Sequence, residues 1–304
     1  MKKHSFLLGI TSRFVSGLAT ISTATVLVTG LGTAIRADDA ASVVQAETQF
    51  GTRAETLAEV ADALRGADVI ILGEVHDNPH HHQVQAELIA ALQPRALVWE
   101  MITQAQAEGL TPQILQDPDA TARALDWQAS GWPDFSLYAP VFKAAEQAAH
   151  FGALVPRAES QAALKAGVAS HFGADAKRFG LDQALPKAEQ AVREAEQMAN
   201  HCNAMPEDIL PMLVDFQRLR DTSLASAAEA ALRQTGGPVV VITGNGHARL
   251  DRGLAIYLTR AMPDSVIRAL GQMEDGSIQG QFDVVLSAPA VQRPDPCLAF
   301  SKSE

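Results

Sequence analysis

Apolar positions recur along this chain at helical spacing and at strand spacing in turn. Residues 56–65 carry Leu57, Val60, Ala61 and Leu64 on one helical face. A β-rich run follows at 68–72 and ends in Gly73 and polar residues, the pattern of a buried parallel strand opening onto a loop. Pro79 suits the first position of a helix, and 80–92 reads as that helix. Residues 96–99 form a second apolar strand, ending at Glu100. Together these make a β-α-β unit, which puts Glu74 and Glu100 at the same edge of one sheet.

Between 103 and about 234 the chain is rich in Ala, Gln and Glu and reads as helices, broken at Pro112, 131–133 and 152–156. Residues 153–155 predict one more strand, and 185–201 and 207–232 are long amphipathic patterns. Gly237 and Pro238 restart the core. A strong strand at 239–243 is followed by a helix over 251–261 and strands at 265–270 and 281–286. The predicted fold is α/β, a mainly parallel β-sheet core flanked by helices. Residues 38–102 and 235–288 supply the core, and 103–234 a mostly helical region that includes an inserted smaller helical subdomain. Residues 289–304 are a Pro-rich, irregular tail.

The first 37 residues differ from all of this. Lys2 and Lys3 precede a small, apolar stretch over 6–31, no acidic residue occurs before Asp38, and Ala37 ends a candidate cleavage site. The pattern predicts a signal peptide and an exported, periplasmic protein. Removing its four basic residues leaves 20 basic against 35 acidic residues, a net charge of −15. Such a surface disfavours nucleic acid as a partner. The two cysteines, Cys202 and Cys297, favour one disulfide in an oxidising compartment. Two unpaired thiols, or a ligand pair of His201 and Cys202, are the alternatives.

Candidate chemistry concentrates where the first strand ends. Four of the nine histidines fall in residues 76–82, with Glu74 and Asp77 among them. Imidazoles and carboxylates at the C-terminal edge of a parallel sheet can ligate a metal or haem iron, or move protons. The pattern strand–Gly–x–x–His recurs at Gly244–His247. If the two strands are neighbours, His76 and His247 face one crevice. Gly244 and Gly246 can present backbone N–H groups to an anion, and Arg249 a fork to a carboxylate. The plain alternative is a tight turn with His247 capping a helix. His81 and Gln85 lie i,i+4 on one helix face, and His82 points about a quarter turn away. The helix dipole there favours neutral imidazole, and His80 reads as solvated. Arg220 with Asp221 is an ordinary intrahelical pair by spacing alone, and Tyr138 has a structural role as its default.

Taken together, these segments resemble the ChaN-like haem-binding uptake family, within a wider group that includes TraB/Tiki proteins and erythromycin-esterase-like enzymes. The matching stretches are Leu72-Gly73-Glu74-Val75-His76-Asp77-Asn78-Pro79 with His81, His82 and Gln85, and Trp99-Glu100-Met101. Residues 132–140, His201-Cys202 with Pro206, Gln217 with Arg220-Asp221, and Gly244-Asn245-Gly246-His247 match as well. The similarity runs from about 52 to 286. It implies a haem-binding role in iron uptake, haem shared within a homodimer, and an outer-membrane haem receptor as partner. It also implies a tyrosine on the iron, for which Tyr138 is the matching position. His76, His81, His82, Gln85, His247, Arg249 and Arg220 are the other haem-contact candidates. In the wider group the same positions imply metal-dependent hydrolysis. A divalent metal ion on His76 and His247, with Glu100 completing its shell, would polarise a water that Glu74 activates. A third reading is an exported α/β domain whose histidines are incidental.

Overall fold

The computed structural model describes residues 50–300; the expected signal peptide, 1–37, lies outside them. The described strands are β1 (Phe50–Ala54), β2 (Val69–Glu74), β3 (Ala96–Trp99), β4 (Ala149–Gly152), β5 (Val239–Gly244), β6 (Ile267–Glu274) and β7 (Gln281–Ala288). They form one sheet in the order β1-β7-β6-β2-β5-β3-β4, every neighbouring pair parallel. The helices of eight residues or more are α1 (Leu57–Leu64), α2 (Pro79–Leu92), α3 (Phe135–Ala144), α4 (Arg157–Ala166), α5 (Lys187–Asn200), α6 (Leu210–Thr235) and α7 (Leu254–Ala261).

Alternation along the strands sorts the core into two layers. Val69 and Ile71 of β2, with Val239 and Val241 of β5, point to the side covered by α4, α6 and α7. Ile70, Leu72, Val240 and Ile242 point to the side covered by α1, α2 and α3. Every residue of β2 and β5 is buried, which is why both read as continuous apolar runs. The expected α/β class is the one observed. Among the described residues no helix is long and apolar enough to cross a membrane.

Three local differences from the sequence reading have physical causes. β1 was not expected: it is an edge strand, and Gly51, Thr52 and Arg53 are exposed, so it carries no apolar run. β4 lies at 149–152 rather than 153–155. His150 interrupts the apolar pattern there, yet its ring stacks in the core and its Nδ1 accepts the indole N–H of Trp99 at 2.9 Å. β2 and β5 run two residues and one residue further than expected, so Gly73 and Gly244 lie inside strands rather than after them.

Candidate functional site

Strand order brings the C-terminal ends of β2, β5 and β3 side by side, and Glu74 and Gly244 are direct register partners. The two Gly-x-x-His motifs therefore open from adjacent strands onto one crevice. Gly244 is required by the close approach of a ring: a Cβ there would stand 2.8 Å from His76 Nε2.

Glu74 is buried at the centre of the first half. Its Oε1 accepts from the Tyr138 hydroxyl at 2.7 Å and from His76 Nδ1 at 2.8 Å, and its Oε2 accepts from Gln85 Nε2 at 2.7 Å. His82 Nδ1 stands 3.5 Å from Oε2. Its other nitrogen, Nε2, donates to the His76 carbonyl at 2.9 Å. His81 Nδ1 accepts from Val75 N at 2.9 Å. His81 and His82 thus fasten the loop from inside. His80 is exposed, and its backbone N–H donates to the Asn78 side chain that caps α2.

Glu100 is the matching centre of the second half. Oε2 accepts from Thr243 Oγ1 at 2.6 Å and Gly244 N at 2.8 Å, and Oε1 from Arg220. His247 Nε2 lies 3.6 Å from Oε1, and His76 Nε2 lies 4.0 Å from Oε2. His247 Nδ1 meets Asp221 Oδ1 at 2.6 Å and Gln217 Nε2 at 3.0 Å. The result is one continuous polar row, Tyr138–Glu74–His76–Glu100–His247–Asp221. Arg220 and Asp221, adjacent on α6, serve Glu100 and His247 rather than each other.

Charge in this row follows from burial opposed by close partners. Burial alone would raise both carboxyls. The hydrogen bond from His76 and the charges of His82 and His76 hold Glu74 below its ordinary value. The charges of His247, Arg220 and His76 hold Glu100 at about 2. Burial opposes charge on His76 as well, but the hydrogen bond to Glu74 and the charge of Glu100 win and raise it. Burial lowers His81 to about 4, so neutral imidazole there is a consequence of burial first. Burial and the Glu74 charge push the Tyr138 hydroxyl up, and burial raises Asp221 despite His247.

A pH optimum for stability follows. Glu100 is depressed from an ordinary 4.5 to about 2, so its contribution is complete above 4.5 and is lost as pH falls toward 2. His76 is raised above 6.5, so its contribution is complete below 6.5 and is lost as pH climbs through the raised value. Burial lowers His81 and His150 to about 4, so their contribution is complete above 6.5 and is lost as pH falls toward 4, and thermal midpoints should peak near 6.5. Glu100→Gln should flatten the acid limb; an unchanged acid limb would refute this assignment.

The ten predicted site residues divide by exposure. His76 is the open one, its side chain 32% exposed, with the Trp132 ring 4.9 Å away. Arg220 is 25% exposed. Tyr138 is 0% exposed, its hydroxyl turned onto Glu74 behind the crevice wall. Arg249 is buried and bonded to Asp251, so it does not stand as a fork beside His247. With Asp221, Gln217 and Gln197 it lines a neighbouring cavity of about 360 Å³.

For the expected divalent ion the geometry gives a different answer. Among the described residues no group of three or more His, Cys, Asp or Glu is arranged to hold a metal. The carboxylate oxygens of Glu74 and Glu100, which would serve as base and complete a metal's shell, are engaged with protein partners, so the hydrolytic reading is not favoured. Sequence reasoning missed Trp132 as a neighbour of His76. Its signal was an aromatic in a Gly-Trp-Pro turn, where a core residue is unusual.

A sequence model of the family described as haem-binding uptake, Tiki superfamily, ChaN, matches residues 60–258. The chain belongs to that family. The match holds β2 to β5 and both Gly-x-x-His motifs, and stops short of β6 and β7. A solved structure of Campylobacter jejuni ChaN, described as showing cofacial haem binding, shares the fold. Its TM-score is 0.59 at 19% identity, covering 75% of this chain and 90% of that one. The type III effector HopBA1 aligns at a TM-score of 0.46 and 11% identity, over 77% of this chain and 93% of its own. No curated protein matches the sequence.

Proposed function

We propose that this protein binds haem at the C-terminal edge of its sheet, over the face where His76 meets Trp132, as a step in haem uptake. The observation that carries the reading is the half-open His76 imidazole, its Nδ1 held by the buried Glu74 carboxylate. Iron-binding histidines characteristically have their second nitrogen fixed in this way. A phenol on the same carboxylate fits too, because Glu74 can take the Tyr138 proton when the phenol binds a metal. Three buried polar atoms of this one turn lack a protein hydrogen-bond partner: His81 Nε2, His82 Nδ1 and Gln85 Oε1. The donor chemistry therefore suits haem, whose iron needs an axial nitrogen or oxygen. His76 is the donor nearest solvent, Tyr138 lies behind it, and Arg220 is the half-open cation for a propionate. Cofacial haem binding by the Campylobacter jejuni protein supports a homodimer that shares haem. Export to the periplasm, with haem received from an outer-membrane receptor, completes the proposal.

Titrating the purified protein with haemin should give a saturable Soret shift. His76→Ala should weaken binding at least about tenfold, the ordinary scale of losing a metal ligand or its support. Gly244→Ala should displace the His76 ring and weaken binding while leaving the unfolding midpoint nearly unchanged, because the new Cβ meets only a movable side-chain end. Absence of any saturable shift in the parent protein would end the haem reading. Tyr138→Phe separates the two donors: loss of the Soret band with His76 intact would assign the iron to the phenol.

A further inference from the structure

After β7 the chain turns back along the C-terminal edge of the sheet. Pro289 O accepts from Asn78 Nδ2 at 3.0 Å, Ala290 N donates to Asp275 Oδ1 at 3.2 Å, and Val291 N donates to Glu274 Oε1 at 3.4 Å. Arg293 then sets one guanidinium between two carboxylates. Nε and Nη2 donate to Asp77 at 2.7 and 2.6 Å, and Nη1 and Nη2 donate to Glu274 at 2.7 Å each. Asp77 directly follows His76, and Glu274 ends β6. Four residues beyond Arg293, Cys297 is joined to Cys202 by a disulfide. Cys202 lies two residues past α5, whose Gln197 and Asn200 line the cavity beside Gln217 and Asp221. The tail is thus pinned at the His76 loop by Arg293 and at the end of α5 by a covalent bond.

We propose that residues 289–297 form a strap across the site, latched by the Cys202–Cys297 disulfide and released by a dithiol reductant. The redox state of this one bond sets how freely the His76 loop and the end of α5 open.

Two observations make the bond a latch as well as a staple. Arg293 is bidentate to each carboxylate but partly exposed, at 31% beside 42% for Asp77, so water and salt screen these pairs. The disulfide, four residues away, makes their closure intramolecular and raises their effective concentration. Cys297 is also exposed while Cys202 is half-buried, so attack on the Cys297 sulfur is open. One thiolate of the dithiol bonds to Cys297 Sγ, the S–S bond breaks, and Cys202 leaves as thiolate. The second thiol then displaces Cys297 and closes the reductant's own disulfide. Two electrons pass from dithiol to cystine, and the two protons the dithiol loses end on the two cysteines.

The effect on ligand exchange rests on the haem reading; the strap itself does not, and the test separates them. Hydrogen–deuterium exchange on the full purified protein should show the amides of Asp77, Asn78 and His80 and those of 198–203 exchanging roughly tenfold faster after dithiol treatment. Arg293→Ala, with the disulfide intact, should speed the first three alone. Equal exchange in both redox states, with far-UV circular dichroism unchanged, overturns the strap. Haem transfer to excess apomyoglobin should be faster from Cys297→Ser than from the parent, a variant that leaves the iron untouched by reductant. Equal transfer rates overturn the gating. Failure of both forms to take up haem overturns the haem reading and leaves the exchange result to judge the strap.

Discussion

Replacing Glu74 by alanine is expected to lower the unfolding free energy by about 3–5 kcal/mol, the range for removing one partner from a buried charged network. The carboxylate is fully enclosed and serves the Tyr138 hydroxyl, the Gln85 amide and the His76 ring at once. Each buried donor left without an acceptor costs about 1–3 kcal/mol. Glu74→Gln should cost much less. Its remaining carbonyl still accepts from Tyr138, and the Gln85 amide can turn so that its unpartnered Oε1 accepts from the new NH₂. Urea unfolding of both variants measures the difference. Equal loss in the two would mean that charge on Glu74, rather than its hydrogen-bond geometry, stabilises the region.

Trp99→Ala should also cost about 3–5 kcal/mol, the usual range for deleting a fully buried tryptophan. Trp99 is wholly enclosed at the end of β3, one residue before Glu100, and stacks on Phe142 at 3.8 Å with the planes 10° apart. Its indole N–H is the partner of His150 Nδ1. Burial lowers His150 to about 4, so that ring is neutral and depends on the indole as donor. Trp99→Phe keeps part of the stack but loses the hydrogen bond and one ring's packing, for which about 1–3 kcal/mol is expected. A cost for alanine below that of phenylalanine would show that the stack contributes little.

Much of this site was legible because its two halves carry the same pattern on strands that had to be parallel. Strand–Gly–x–x–His placed His76 and His247 at one edge, and the apolar runs of β2, β3 and β5 placed Glu74 and Glu100 beside them. What the sequence withheld was direction. Helical spacing put His81 and Gln85 on one face, but not that His81 takes the Val75 N–H while Gln85 holds Glu74. Likewise Tyr138 matched a position without revealing that its hydroxyl turns inward. Arg249 looked like an anion fork until Asp251, two residues on, proved to be its partner. The clamp of Arg293 on Asp77 and Glu274 joins residues hundreds of positions and nineteen positions apart, a pairing no local pattern encodes.

The register of β2 against β5 has a consequence for how this chain can change. Glu74 and Gly244 face each other because six consecutive residues pair across the two strands, from Val69 with Val239 onward. Side chains alternate along a strand, so adding or deleting one residue within β5 would exchange its two faces and carry the second motif away from the first. The connecting residues far from the crevice answer to no such constraint. A loop there can lengthen or shorten while the two halves still meet, so the site tolerates growth between its halves but not a single-residue shift within either strand.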